Sequence, residues 1–325
     1  MRVLILGVTG FAGGYLAREL AHEGDEVWGA GRPRAGGGYS RPVEIDGAPV
    51  PMVPCDITDP ASITAALEAS RPEAVALLAG LAFAPLSNLD PAAAYRVHAE
   101  GAVNVLEQTL RYDEAVRVLL VTSSEVYGAV GEGDLPVNEE TALRPTSIYA
   151  ASKAAADLAG RAFALAKGAN VVRVRPFNHT GPGQRTEFVC PDFASQVAAI
   201  VRGEKEPVME VGNLAPRRDF TDVRDIARGY VAALKKGRAG EVYNLCQGRA
   251  IGIGDILKDL CRLAGVSPEI RTAAHRKRRA EVPAYWGSPA KAREELQWEP
   301  RLAWEQTLAD LLDSFAGESV APPAV

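Results

Sequence analysis

The chain has 325 residues, of which 47% are hydrophobic, and carries a formal net charge of −5. That length and apolar content suit one large domain or two closely joined ones with an ample core, and the negative balance argues against a general attraction to nucleic acid or anionic membrane. Four scattered cysteines (Cys55, Cys190, Cys246 and Cys261) form no Cys-x-x-Cys pair, so neither a zinc motif nor a disulfide framework is indicated and a reduced, cytoplasmic setting is expected.

The opening MRVLIL holds one basic residue and an apolar run too short for a signal peptide. No segment reaches the roughly 18–20 apolar residues needed to span a bilayer, so no membrane partner is expected. RVLILG reads as a strand. AGGYLARELAHEG follows as a helix with Leu16, Leu20 and Ala21 on one face and Gly24 as its stop. DEVWGA, PMVPC, EAVALLA, VRVLLVTSS and NVVRVRPFN read as further strands, and residues 60–70, 92–112 and 149–167 as helices. Strands with so little alternation are buried on both faces. The fold expected is therefore α/β, a doubly wound parallel sheet of Rossmann type with helices on both sides.

After residue 178 the pattern loosens. HTGPGQRTEFVCPD reads as a loop, 192–202 and 223–236 as helices, EVYNL as a strand, and 253–264 and 303–316 as helices. The organisation expected is a nucleotide-binding domain over 1–178, with return segments from about 219–248. A smaller, interleaved lobe takes most of 179–316, and 317–325 forms a frayed tail. The Asn-His-Thr at Asn178 fits a glycosylation acceptor but carries no weight in a cytoplasmic protein.

GVTGFAGG lies between the first strand and the first helix. Gly7, Gly10 and Gly13 allow a tight turn and a close approach of backbone to a diphosphate, whose charge a helix N-terminus favours. About 20 residues on, where NAD-binding chains carry an acid, this chain has Arg32 and Arg34. A guanidinium suits a 2′-phosphate, so NADP(H) is favoured, with NAD(H) open; both arginines could also be solvated loop charges. Asp56 follows the third strand, where it could meet an adenine. Ala79 and Gly80 end the fourth, where a larger side chain would crowd a cofactor.

SIYAASK sets Tyr149 and Lys153 four apart, on one face of a helix. A nearby ammonium is expected to stabilise the phenolate and lower the tyrosine pKa toward a value useful for proton transfer. Ser123, closing a buried strand, could hydrogen-bond the oxygen that the tyrosine protonates. Glu125 follows in VTSSEVYG, either as a base or as an acceptor for sugar or backbone donors; an unpaired carboxylate in a closed site would be costly.

With GVTGFAG, CDITD, SSEVYG, YAASK, RPFNHTGPGQ, RDFTDVRD and AEVPAYWGSPAKAREELQWEPR in order, the chain resembles the extended short-chain dehydrogenases/reductases, in their nucleotide-sugar-modifying branch, from residue 3 to about 316. FNHTGPGQ followed by FVCPDFASQVA looks most like the reductases of GDP-4-keto-6-deoxy-D-mannose that form GDP-D-rhamnose. The resemblance implies a GDP-sugar substrate and a homodimer paired through the helices 92–112 and 149–167. It implies a catalytic set of Ser123, Tyr149, Lys153 and Glu125. The cofactor set is Gly7, Thr9, Gly10, Phe11, Ala12, Gly13, Arg32, Arg34, Asp56, Ile57, Ala79, Gly80, Tyr149, Lys153 and Pro176. The substrate set is Ser124, Glu125, Asn178, Phe188, Val189, Arg218, Arg278 and Glu281. Arg279 stands where relatives often have proline, and AGLAFAPLSNLD lacks the usual polar pattern, so the sugar stays open. A 4,6-dehydratase, a 4-epimerase and a non-catalytic dinucleotide sensor are the other readings.

Overall fold

β1 (Arg2–Leu6) buries side chains on both faces: Val3 and Ile5 enter one apolar cluster, Leu4 and Leu6 another. Each such side chain contributes roughly 1.5–3 kcal/mol when fully removed from water. A strand covered on two sides needs helices above and below, and the computed structural model supplies them; it describes residues 1–33, 43–45, 47–81, 84–273 and 282–317.

Among the described residues seven strands form the central sheet. After β1 come β2 (Glu26–Gly31), β3 (Met52–Pro54), β4 (Ala74–Leu77), β5 (Arg117–Val121), β6 (Val171–Pro176) and β7 (Val242–Leu245). The order is β3-β2-β1-β4-β5-β6-β7, and every pair is parallel. The direction of winding reverses between β1 and β4, so a crevice opens at their carboxyl ends.

The longer helices are α1 (Phe11–His22), α2 (Pro60–Ser70), α3 (Gly101–Tyr112), α4 (Ile148–Lys167), α5 (Val189–Val201), α6 (Val223–Lys236), α7 (Ile253–Ala264) and α8 (Trp304–Ala316). α1 and α6 cover the Val3 face, through residues such as Leu16, Leu20, Ile226 and Tyr230. α2, α3 and α4 cover the Leu4 face, through Ile63, Leu67, Val105, Leu106 and Ala156. Side-chain caps fix where several begin. Asp59 accepts from the amide of Ala61 at 3.0 Å, Ser147 from Ala150 at 3.0 Å, and Asp222 from Arg224 at 2.8 Å. The single helix expected over 92–112 is interrupted: Pro91–Tyr95 is helical, Arg96–Glu100 is a π-helical turn, and α3 follows.

α5, α7 and α8 build a third core with Met209, Val211 and Phe220, beside a parallel pair, Val208–Val211 with Glu269–Thr272. Part of the expected loop is ordered differently. Asn178–Thr180 pairs in parallel with Phe220–Asp222, and α5 starts at Val189 rather than near 192. The strand's partner is far away in the chain, which no local pattern reveals. Pro191 is tolerated because it sits in the first helical turn, where amides have no partner to lose. No helix among the described residues is long and apolar enough to cross a membrane, and no group of three or more His, Cys, Asp or Glu among them could hold a metal ion.

Candidate active site

Two positions where β1 passes into α1 tolerate only glycine. Gly7 has φ +97°, and a Cβ there would lie 2.7 Å from the backbone nitrogen of Ala79. A Cβ at Gly13 would collide with the Gly7 carbonyl oxygen and come within 2.8 Å of Val8 Cα. Gly10 caps α1 in an extended conformation with no side-chain hydrogen bond, and Thr9, Phe11 and Ala12 beside it are half-buried. The cradle therefore brings backbone amides and the positive end of a twelve-residue helix to one spot, which fits a diphosphate.

The ends of β2 and β4 converge on this turn: the Gly7 amide donates to Ala30 O at 2.9 Å and the Ala79 amide to Leu6 O at 2.8 Å. Arg32, exposed, follows β2, and Asp56 follows the adjacent β3. Asp56 Oδ1 accepts from the Thr58 amide at 2.9 Å and its hydroxyl at 2.8 Å. Burial would raise this carboxyl, but the Thr58 bonds and the Arg32 charge together hold it below its ordinary value. The structure thus brings Arg32 and Asp56 into one electrostatic neighbourhood. The Ile57 side chain is buried in the core against Gly101, so only its main chain can face a ligand. Arg34 lies outside the described residues.

Ser123 follows β5 and caps a tight 3₁₀ turn, Ser124–Tyr127, its Oγ accepting from the Glu125 amide at 3.2 Å. Tyr149 and Lys153 project from the first turns of α4. Lys153 is buried, donates to Val121 O at 3.2 Å, and is pushed down to about 8 by burial. Tyr149 is half-buried; burial first, then the negative charge of Glu125, lift its phenol above the ordinary value, while a hydrogen bond with Ser123 pulls it down. The expected lowering of the tyrosine is therefore not what the folded chain shows, because loss of water outweighs the stabilising contacts. Glu125 itself is exposed, so the burial cost expected for its carboxylate does not arise.

A residue that sequence reasoning missed completes this cluster. His98, in the π-helical turn, is buried; its Nε2 accepts from the Leu81 amide at 2.9 Å and its Nδ1 lies 2.8 Å from Ser152 Oγ. Its ring meets Tyr149 edge-on at 5.5 Å, and burial, then the charge of Lys153, push it down to about 3. A Cβ on Gly80 would lie 3.1 Å from the His98 ring and 3.5 Å from Lys153 Nζ. Ser123, Glu125, Tyr149, Lys153, His98 and the Ala79–Gly80 strand end are thus gathered together.

On the other side, Pro176 is buried at the end of β6, and Asn178 beyond it is exposed and donates to Asp219 O at 3.1 Å. His179 stacks on Phe11 with ring centroids 6.1 Å apart, and the Tyr15 hydroxyl donates to Pro182 O at 2.8 Å, so this loop rests on α1. Ser124 is buried, its carbonyl accepting from the Tyr285 hydroxyl at 2.6 Å. Phe188 and Val189 start α5, and Arg218, half-buried, lies in a short strand between Ile251–Gly252 and Ala284–Tyr285. Arg278 and Glu281 lie outside the described residues.

A family described as GDP-mannose 4,6 dehydratase matches residues 4–311. The chain is 33% identical to a GDP-6-deoxy-D-mannose reductase of Pseudomonas aeruginosa, over 97% of each. The solved structure of RMD from Pseudomonas aeruginosa complexed with NADPH superposes with a TM-score of 0.84 at 31% identity, covering 97% of this chain and 99% of that one. A Thermus thermophilus UDP-glucose 4-epimerase, solved with NAD, gives 0.85 at 27% identity, over 98% of this chain and all of that one.

Proposed function

The chain belongs to the GDP-mannose 4,6-dehydratase family of extended short-chain dehydrogenases/reductases, and from there we propose that it reduces the C4 ketone of GDP-4-keto-6-deoxy-D-mannose to GDP-D-rhamnose with NADPH. The observation that carries this reading is the gathering of Ser123, at the end of β5, with Tyr149 and Lys153, one helical turn apart on α4, where Lys153 Nζ reaches the Gly80 strand end.

When bound, NADPH supplies the hydride that C4 receives. Gly7, Thr9, Gly10, Phe11, Ala12 and Gly13 would hold its diphosphate, and Arg32 and Arg34 its 2′-phosphate. Asp56 and the Ile57 main chain would meet the adenine. Ala79, Gly80 and Pro176 would border the nicotinamide half, with Tyr149 and Lys153 at its ribose. Tyr149 protonates the oxygen developing at C4; its raised pKa keeps it protonated, as an acid must be. Ser123 orients that oxygen, and Lys153 compensates charge beside the phenol. Ser124, Asn178, Phe188, Val189, Arg218, Arg278 and Glu281 would hold the GDP-sugar.

The test is incubation of the protein with NADPH and the GDP-keto-sugar, following reduced-nicotinamide absorbance and identifying the product by NMR. Tyr149→Phe is expected to lose about 10²–10⁴-fold in turnover while keeping nucleotide binding. Near-normal turnover of that variant would remove the assignment.

A second reading, a 4,6-dehydratase, is favoured by one observation: the Glu125 charge reaches Tyr149, where a base for C5 would act. GDP-mannose converted by the wild type and not by Glu125→Gln would establish it. A mild effect of that variant on ketone reduction fits the reductase.

We also propose a homodimer paired through α3 and α4. Leu158 and Leu165, 53% and 73% exposed and seven residues apart, form an apolar stripe on α4. Light scattering of a Leu158→Asp, Leu165→Asp variant should find monomers; a monomeric wild type would remove this pairing.

A further inference from the structure

We propose that His98 is a positioning residue for the reaction, one ring nitrogen holding the Gly80–Leu81 strand end and the other holding, through Ser152, the first turn of the helix that carries Tyr149 and Lys153. Only its kinetic test rests on the reduction reading.

The hydrogen bonds settle which nitrogen does what. A backbone amide can only donate, so the Nε2 that faces the Leu81 N–H at 2.9 Å carries no proton. Nδ1 is then the protonated nitrogen and donates to Ser152 Oγ at 2.8 Å, whose own O–H donates to Tyr149 O at 2.8 Å. An imidazolium would have N–H at both positions and would break the Leu81 bond. The ammonium of Lys153 and the desolvated surroundings oppose that charge.

The two ends of this relay have meaning for the site. Leu81 adjoins Gly80, where a Cβ would press to 3.1 Å from the imidazole itself. Ser152 sits between Tyr149 and Lys153 in the chain, and the ring packs edge-on against the Tyr149 phenol. The π-helical turn that carries His98 is a rare conformation, frequent at functional sites. A histidine that merely filled the core would not have both its nitrogens spent on the two segments that border the reacting groups.

The experiment has two arms. In protein with ¹⁵N-labelled histidine, the His98 ring should show a proton on Nδ1 and none on Nε2, unchanged from pH 5 to 8, with or without NADPH. In kinetics, His98→Leu should lower kcat on the order of tenfold to a hundredfold, as expected for a small displacement of a reacting group, with the NADPH dissociation constant unchanged. His98→Gln, whose amide oxygen can again accept from Leu81, should recover most of that loss. A proton on Nε2, titration within that pH range, or full kcat in His98→Leu would overturn the proposal. Should His98→Leu fail to fold, Ser152→Ala is judged by the same fall in kcat. A wild type inactive on the keto-sugar would sink the reduction reading, whereas the ring spectrum still decides the tautomer.

Discussion

Arg175 grips Asp157 through both prongs of its guanidinium, Nε to Oδ2 at 2.9 Å and Nη2 to Oδ1 at 2.8 Å, in a setting closed to water. Arg173 adds a bond to Oδ1 at 2.6 Å and Thr122 one to Oδ2 at 3.1 Å. Asp157 follows Lys153 by four residues, so the same face of α4 that carries the reacting pair is anchored one turn further on. Arg175 also donates to the Tyr127 hydroxyl at 2.9 Å, which donates to Asn244 Oδ1 at 2.7 Å, joining the ends of β5, β6 and β7 to that helix. Removing the carboxylate leaves two buried guanidinium groups uncompensated. Asp157→Ala should therefore cost about 3–5 kcal/mol in denaturant unfolding. A loss below about 1 kcal/mol, the range of exposed ion pairs, would show that water reaches this network.

Arg32, expected at the ribose phosphate, follows β2 and its charge acts on Asp56. If it distinguishes the two dinucleotides, Arg32→Ala should weaken NADPH about tenfold, the value of one charge-assisted hydrogen bond at a wet site, and leave NADH as it was. Equal losses for both would mean that it serves the shared part of the cofactor or only the fold around Asp56.

Lys153 sets an alkaline limit. Burial pushes its ammonium down to about 8, so the charged form, the one able to donate three hydrogen bonds, disappears as pH rises through that value. In the free enzyme kcat/KM for NADPH should fall above about pH 8. A guanidinium does not lose its proton, so Lys153→Arg, though slower, should lack this limb. A wild-type profile flat to pH 10 would contradict the assignment of Lys153 to the cofactor.

What was legible in the sequence was local. Tyr149 and Lys153 share a helical face because of their spacing, and the glycines of the first turn stand where backbone must approach a ligand. Both patterns survive in one stretch of chain. His98 was not legible because its partners lie 17 and 54 residues away. The same holds for the Asn178–Thr180 strand, whose partner begins at Phe220. The direction of the Tyr149 shift was misread for a related reason. Spacing places an ammonium nearby, but only packing determines how much water the phenol loses.

Asp219 shows how such long-range order can be tested. It is fully buried and accepts the amides of Gln247 at 2.8 Å, Gly248 at 3.0 Å and Gly287 at 3.3 Å, while its own carbonyl accepts from Asn178. The carboxylate thus pins two segments bordering the lobe, and the carbonyl of the same residue holds a third. In Asp219→Asn an NH₂ would face amides that can only donate, orphaning at least one, at a cost of about 1–3 kcal/mol. The pH dependence has a definite sign. Burial, acting against those backbone bonds, pushes Asp219 up to about 6, whereas in the unfolded chain it ionises near its ordinary value of about 3.9. Between those values the folded chain keeps a proton that the unfolded chain has released. The contribution of this residue is therefore complete below about pH 4 and declines as pH rises through 6. Denaturant unfolding of wild type and Asp219→Asn from pH 4 to 7 should show their difference narrowing toward neutrality. A difference that widened instead would mean that the amides aimed at the carboxylate outweigh its desolvation, and that Asp219 is ionised throughout.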